Sequence, residues 1–305
     1  MGEIRIGISG WRYAPWRGIF YPDGLPQDRE LAFASRAVNS LEINGSFYAL
    51  QNPARYANWR DDAPKDFIFA VKAPRYITHT LKLKDVEKPL ANSFASGLLQ
   101  LGEKLGPILW QFPPSMAFEA GTFGRFLDLL PGTTHAALDC ASHCSDRLKK
   151  VGYQEASARG TLRHAVEIRN ESFACDAFVQ MLRDHKVALV IADTAGKWPY
   201  LEDLTSDFVY LRLHGDKALY ASGYTEQALA RWETRIRTWS AGLQPGDAFV
   251  VDEHGTRLRK SRDIYCYFDN DQKVRAPFDA RRLLERLDLT RDLETQPGVL
   301  QGIPP

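Results

Sequence analysis

Eight short runs rich in apolar and β-branched residues alternate with amphipathic stretches along this chain. That alternation restricts its fold more than any other feature. The runs are Ile4–Ser9, Val38–Asn44, Phe67–Ala73, Pro107–Phe112, His164–Arg169, Val187–Asp193, Phe208–His214 and Ile264–Asp269. Apolar residues fall at helical spacing in Ala32–Ala37, Ala54–Arg60, Leu90–Leu105, Phe123–Leu130, Asp176–Asp184, Glu226–Ala241 and Asp279–Leu287. Strand–helix alternation predicts a parallel sheet. Eight strands with no Gly-rich phosphate turn after the first favour closure over a doubly wound sheet. The expected class is therefore α/β, a single (β/α)8 TIM-type barrel over residues 1–290 with a C-terminal tail at 291–305.

Two segments interrupt the rhythm and read as insertions before strand 5 and before strand 8. Pro131–Gly160 has room for a helix of its own around Ser145–Ala158. Phe249–Arg262 is polar and fits a hairpin turning at His254 and Gly255.

Composition narrows the function classes. A formal net charge of +1 gives no global field toward nucleic acid or membrane, which leaves local patches as the electrostatic signal. Four cysteines in 305 residues are too sparse for a disulfide scaffold. The first ten residues carry no leader pattern, and no apolar run approaches the ~18 residues of a membrane span. The expectation is a cytoplasmic protein without membrane contact, its oligomeric state open.

Parity along the strands locates the polar chemistry. Residues two apart share a face, and a barrel turns its apolar face to the helices. Val209, Leu211 and Leu213 therefore leave Tyr210, Arg212 and His214 inward. Val166 and Ile168 do the same for Glu167 and Arg169, Leu41 and Ile43 for Glu42 and Asn44, and Val71 for Lys72. On the first strand Ile4, Ile6 and Ile8 leave Ser9, and beyond it Trp11, inside. Five strands thus place polar groups at their C-terminal ends, where barrels of this type build active sites. Burying such charges unpaired is prohibitive, so internal pairs such as Glu42 with Arg169 or Glu167 with Lys72 are the structural alternative to a ligand site. Asp193, Gln111, Asp269 and Asn270 have ambiguous parity.

The same segments carry a resemblance. Gly7-Ile8-Ser9-Gly10-Trp11, Glu42-Ile43-Asn44-Gly45-Ser46-Phe47-Tyr48, Phe69-Ala70-Val71-Lys72-Ala73-Pro74-Arg75 with His79, and Leu109-Trp110-Gln111-Phe112-Pro113-Pro114 form the first half. Glu167-Ile168-Arg169-Asn170-Glu171-Ser172-Phe173, Leu211-Arg212-Leu213-His214-Gly215 and Tyr267-Phe268-Asp269-Asn270-Asp271 complete it. In this order they resemble the DUF72 (YecE-like) family of uncharacterised proteins. The resemblance implies a TIM-type barrel and supplies no reaction. Asp269 stands where Asn is usual in the family, which leaves its role open, and the Pro131–Gly160 insertion occurs in some members.

The inward cations Lys72, Arg169 and Arg212 suit an anionic ligand, a phosphoester or carboxylate. Glu42, Glu167 and His214 are the candidate acids and bases for hydrolysis or lyase chemistry, and Asn44, Trp11 and Tyr48 are candidate ligand contacts. If Glu42 and Glu167 fully satisfy Arg169 and Arg212, the anion reading loses its basis. A metal site from Glu42, Glu167, Asp193, His214 and Asp269 competes, but three cations at the same mouth oppose a divalent ion. Cys140 and Cys144, flanking His143, lack a second ligand pair and read as packing. No cofactor or metal is expected. The other reading is a non-catalytic binding protein that takes nucleic acid across an aromatic-basic rim, with Lys82, Lys84, Lys88 and the Arg257–Arg262 run as further basic patches or plain solvated surface.

Overall fold

The computed structural model describes residues 1–149, 160–252 and 258–293. Among them, parallel strands β1 to β8 follow one another in a closed barrel. These are β1 Ile4–Ser9, β2 Ser40–Ile43, β3 Ile68–Lys72, β4 Leu105–Gln111, β5 His164–Glu167, β6 Ala188–Asp193, β7 Phe208–Leu213 and β8 Asp263–Phe268. Each expected strand is present, shifted by a few residues at most.

Contacts gather the chain into two compact units, residues 1–42 with those from 189 on, and residues 43–188. In the first, β6 to β8 pair in sequence order and β8 continues through β1 to β2. Asp193 registers with Leu213, Leu213 with Phe268, Gly7 with Tyr267 and Ser9 with Glu42. Its helices are α1 Glu30–Ala37, α9 Glu226–Ser240 and α10 Arg275–Arg286. Thr225 caps α9 by accepting from the Ala228 amide at 3.2 Å, satisfying an otherwise orphaned donor. The apolar stripe of α9, Leu229, Trp232, Ile236 and Trp239, is buried at helical spacing.

The second unit pairs β3, β4 and β5, with Lys72 opposite Leu109 and Gln111 opposite Glu167. Its helices are α2 Gly45–Tyr48, α3 Pro53–Asp62, α4 Glu87–Ala95, α5 Ala120–Asp128, α6 Thr134–Ser142, α7 Asp146–Lys149 and α8 Asp176–Asp184. Phe112, Phe123, Phe126, Phe173 and Phe178 pack ring against ring at 5.0–6.3 Å and form its aromatic core. Edge-to-face and offset pairs of this kind add to what burial of the rings contributes.

One expected helix is broken. The periodic stretch Leu90–Leu105 splits into α4 and a 3₁₀ segment, Leu98–Lys104, because Gly97 takes φ +104°. A Cβ at Gly97 would stand 2.5 Å from the Cα of Pro53, so α3 passes too closely for any side chain there. In the first insertion α6 was not anticipated, and the helix expected at Ser145–Ala158 lies mostly outside the described residues, which reach only α7. The expected turn at His254 and Gly255, Arg257, and the tail from residue 294 on also lie outside them. Arg262, read as part of a surface patch, is instead buried and donates to the Gly242 carbonyl at 2.8 Å. No helix among the described residues is long and apolar enough to cross a membrane.

Candidate functional site

In the first unit, period-two alternation carries polar side chains up the inner face in layers. Below, the Ser40 and Tyr267 hydroxyls meet at 2.7 Å. Above them Glu42 is fully buried and has both oxygens occupied. Its Oε1 accepts from the Ser9 hydroxyl at 2.7 Å and from Arg212 Nη2 at 2.9 Å. Its Oε2 accepts from the Tyr210 hydroxyl at 2.6 Å and from Arg212 Nε at 3.1 Å. Burial and the neighbouring Glu42 charge push the Tyr210 phenol well above its ordinary range, so it stays a donor. Ion pairs desolvated this completely persist only when both partners are saturated with hydrogen bonds, as they are here.

The top layer adds Asp269, whose Oδ2 accepts from Arg212 Nη2 at 2.9 Å and lies 3.0 Å from His214 Nδ1. The His214 ring is wedged edge-on between Trp198 and Tyr220. Just beyond, burial and then the charge of Asp269 push the Asp271 carboxyl up to about 6, against hydrogen bonding from Tyr13 and the charge of Arg212. A carboxyl poised there is suited to proton transfer near neutral pH. Asn270 points elsewhere and ties the Ser222 carbonyl to Asp279. Trp11 is buried at 6% exposure.

The second unit has a different balance of charge. Glu167 is fully buried and accepts from Gln111 Nε2 at 2.9 Å on each oxygen, and from Arg169 Nε at 2.9 Å. Lys72 Nζ stands 4.3 Å from the centre of the Phe47 ring, and the Arg75 guanidinium 6.0 Å from it. The Ser46 hydroxyl fixes this corner by donating to the Lys72 carbonyl at 2.7 Å. His79 sits edge-on to Phe47, on a π-helical turn Tyr76–Thr80, with its Nδ1 2.8 Å from the Thr78 hydroxyl. Such turns frequently mark functional sites. Burial pushes His79 down to about 4, and the charges of Lys72, Arg169 and Arg75 add to the effect while Glu167 opposes it. The imidazole is therefore neutral at physiological pH in a positive local field. Asn44 Oδ1 is buried without a hydrogen-bond partner, and Tyr48 and Tyr76 are 72% and 53% exposed.

Residues 5–301 match the family model described as "Protein of unknown function DUF72". The chain belongs to the DUF72 family. It is 30% identical over 130 residues to the UPF0759 protein YecE of Escherichia coli (strain K12), covering 42% of this chain and 45% of that protein. With the UPF0759 protein YunF of Bacillus subtilis (strain 168) the identity is 28% over 116 residues, 36% of this chain and 40% of that one. The matched stretch thus spans less than half the length of either relative. A DUF72 protein of Thermotoga maritima superimposes with a TM-score of 0.67 at 22% identity, covering 94% of this chain and 99% of its own. One from Enterococcus faecalis gives 0.67 at 15% identity, with 99% and 100% coverage. At these identities the likeness is one of fold.

The residues expected at the site of this DUF72 chain fall into two groups. Glu42, Arg212 and His214 come together in the first unit, and Asn44, Tyr48, Lys72, Glu167 and Arg169 belong to the second. Arg212 is committed to Glu42 and Asp269, and Arg169 to Glu167, so the arginines expected to hold an anion are both met by carboxylates. Reading by parity missed Tyr210 as a carboxylate donor, Gln111 as the second clamp on Glu167, and Asp269 as the link between Arg212 and His214. It also missed Arg75 and His79, which lie past the strand end where alternation carries no information. The motif Lys72 to His79 was the available signal. Cys140 and Cys144 are free thiols, with Cys144 buried behind α6. Among the described residues no group of three or more His, Cys, Asp or Glu is placed to hold a metal.

Proposed function

We propose that this protein binds a small anion, a phosphoester or carboxylate, at the C-terminal ends of β3 and β5. The observation that carries this reading is the excess of positive charge around His79. Lys72, Arg75 and Arg169 all oppose its protonation, against Glu167 on the other side. Arg212 leaves the ligand set, because its guanidinium is spent on Glu42 and Asp269. Glu42 and Glu167 act as positioning groups that aim arginines, since their oxygens are already occupied. In this unit a neutral His79, hydrogen-bonded to Thr78, is the side chain equipped to take or give a proton to a bound ester or acid, as hydrolysis or lyase chemistry requires. In the other unit His214, whose Nδ1 lies 3.0 Å from Asp269 Oδ2, is the corresponding histidine.

Titration with inorganic phosphate, read at the His79 ring by NMR, tests the binding. A bound anion must raise the His79 pKa from about 4, and Lys72→Met must weaken phosphate roughly tenfold or more. If about 50 mM phosphate leaves His79 unmoved, the reading fails. Phosphomonoesters and carboxylic esters offered to wild type, His79→Gln and Glu167→Gln then separate catalysis from binding. A second reading is favoured by the exposed rings of Tyr48 and Tyr76, which flank this basic corner in sequence. Bases of a single strand stack on such rings, and oligonucleotide binding without turnover would favour that assignment.

A further inference from the structure

A cavity of about 610 Å³ lies between the end of β6, the loop after β7 and the first two turns of α9. It shares no residue with the basic corner around His79. Four charged side chains line it, Asp193, Asp216, Lys217 and Arg231. Among the described residues, none of the four makes an ion pair. That is unusual for this unit, where Arg235 pairs with Asp247, Arg237 and Arg286 with Glu233, and Arg282 with Asp279. The two carboxylates are the deeper pair, half-buried, and the two cations are exposed at the rim. Asp193 is held in place by the Tyr224 hydroxyl at 3.1 Å, which itself accepts from the Gly215 amide at 3.1 Å. Burial lifts the Asp193 carboxyl above its ordinary range, and the charge of Asp216 lifts it further, so a cation placed beside them is favoured. Trp232 supplies a buried aromatic wall.

The arrangement discriminates among ligand classes. A simple anion would meet two carboxylates, and a simple cation would meet Lys217 and Arg231 on the way in. A neutral ligand would desolvate all four charges and pair none, a cost that grows with burial. We infer that this cavity binds a small zwitterion, an α-amino acid or short peptide, with its ammonium group between Asp193 and Asp216 and its carboxylate on Lys217 and Arg231. The volume lies within the roughly 300–1,000 Å³ of ordinary small-molecule pockets.

Fluorine NMR of protein labelled with 5-fluorotryptophan provides the readout, with the Trp232 resonance assigned from Trp232→Phe. The probes are the common L-amino acids and glycylglycine, each beside its N-acetylated and C-amidated forms. At least one zwitterion is expected to shift Trp232, and blocking either terminus weakens it about tenfold or more. Asp216→Asn and Arg231→Gln each weaken it about tenfold while melting like wild type. The inference is overturned if no probe moves Trp232 at about 20 mM, if blocked and free forms bind alike, or if both variants bind as wild type does. The phosphate response of His79 is recorded on the same samples, so failure of one site is distinguishable from failure of the other.

Discussion

At the residue scale, Glu42 illustrates what a buried charge must find before a fold can keep it. Its carboxylate has four short donor contacts, from Ser9, Tyr210 and two nitrogens of Arg212. Glu42→Gln removes the main counter-charge of a guanidinium that is itself fully buried, and should cost roughly 3–5 kcal/mol in urea unfolding. Tyr210→Phe takes away one charge-assisted hydrogen bond and should cost about 1.5–3 kcal/mol. If Glu42→Gln stays within about 1 kcal/mol of wild type, the pair is not desolvated in solution. The inward position of Glu42, Arg212 and His214 was legible because alternation fixes the face of a strand residue. Their partners were not, because parity says which way a side chain points and nothing about register between strands. Asp269 shows the gap most clearly. It follows the last residue of β8, where strand and turn read alike, and its contact with Arg212 depends on how β7 and β8 register.

At the scale of elements, the strand runs were legible because buried parallel strands are short, apolar and β-branched. Helix limits were legible where the apolar spacing was clear, as with α8, whose expected and observed limits coincide at Asp176–Asp184. The break at Gly97 was not, since its cause is the distant Pro53. Gly97→Ala should destabilise the protein by at least 1–3 kcal/mol, roughly, because the left-handed backbone and the lack of space act together. A thermal melt within error of wild type would mean that α3 yields easily. His164 joins β5 to β4 and to the first insertion, accepting from the Trp110 indole at 3.1 Å and donating to the Pro131 carbonyl at 2.9 Å. Burial pushes it down to about 4 from an ordinary 6.5. Between those values the unfolded chain takes up a proton that the folded chain refuses, so stability falls as pH drops through this window and levels off below it. The loss attributable to His164 is on the order of 3 kcal/mol. His79 contributes with the same sign, so the measurement is the difference between wild type and His164→Gln. The variant should start less stable at pH 7 and lose less on acidification. Parallel stability curves would remove His164 as the titrating group.

At the scale of the whole molecule, the charge is nearly balanced, with 39 Lys and Arg against 38 Asp and Glu. Attraction for a polyanion must then come from local patches such as the corner around Lys72, Arg75 and Arg169, and a handful of contacts screens readily. A fluorescent single strand of about ten nucleotides should bind more weakly than about 100 μM at 0.15 M salt, with a shallow salt dependence. Micromolar binding with a steep salt slope would move the assignment to nucleic acid. The two compact units also differ in how the chain supplies them. Residues 43–188 are continuous, whereas the other unit is assembled from residues 1–42 and those from 189 on. Glu42 lies at the edge of the first piece, and its guanidinium partner is 170 positions further along. On a ribosome, the carboxylate therefore emerges early and stays without its cation until β7 has been synthesised. A nascent chain halted before Arg212 already holds every residue of the middle unit, while its opening strands still lack the cation that Glu42 pairs with.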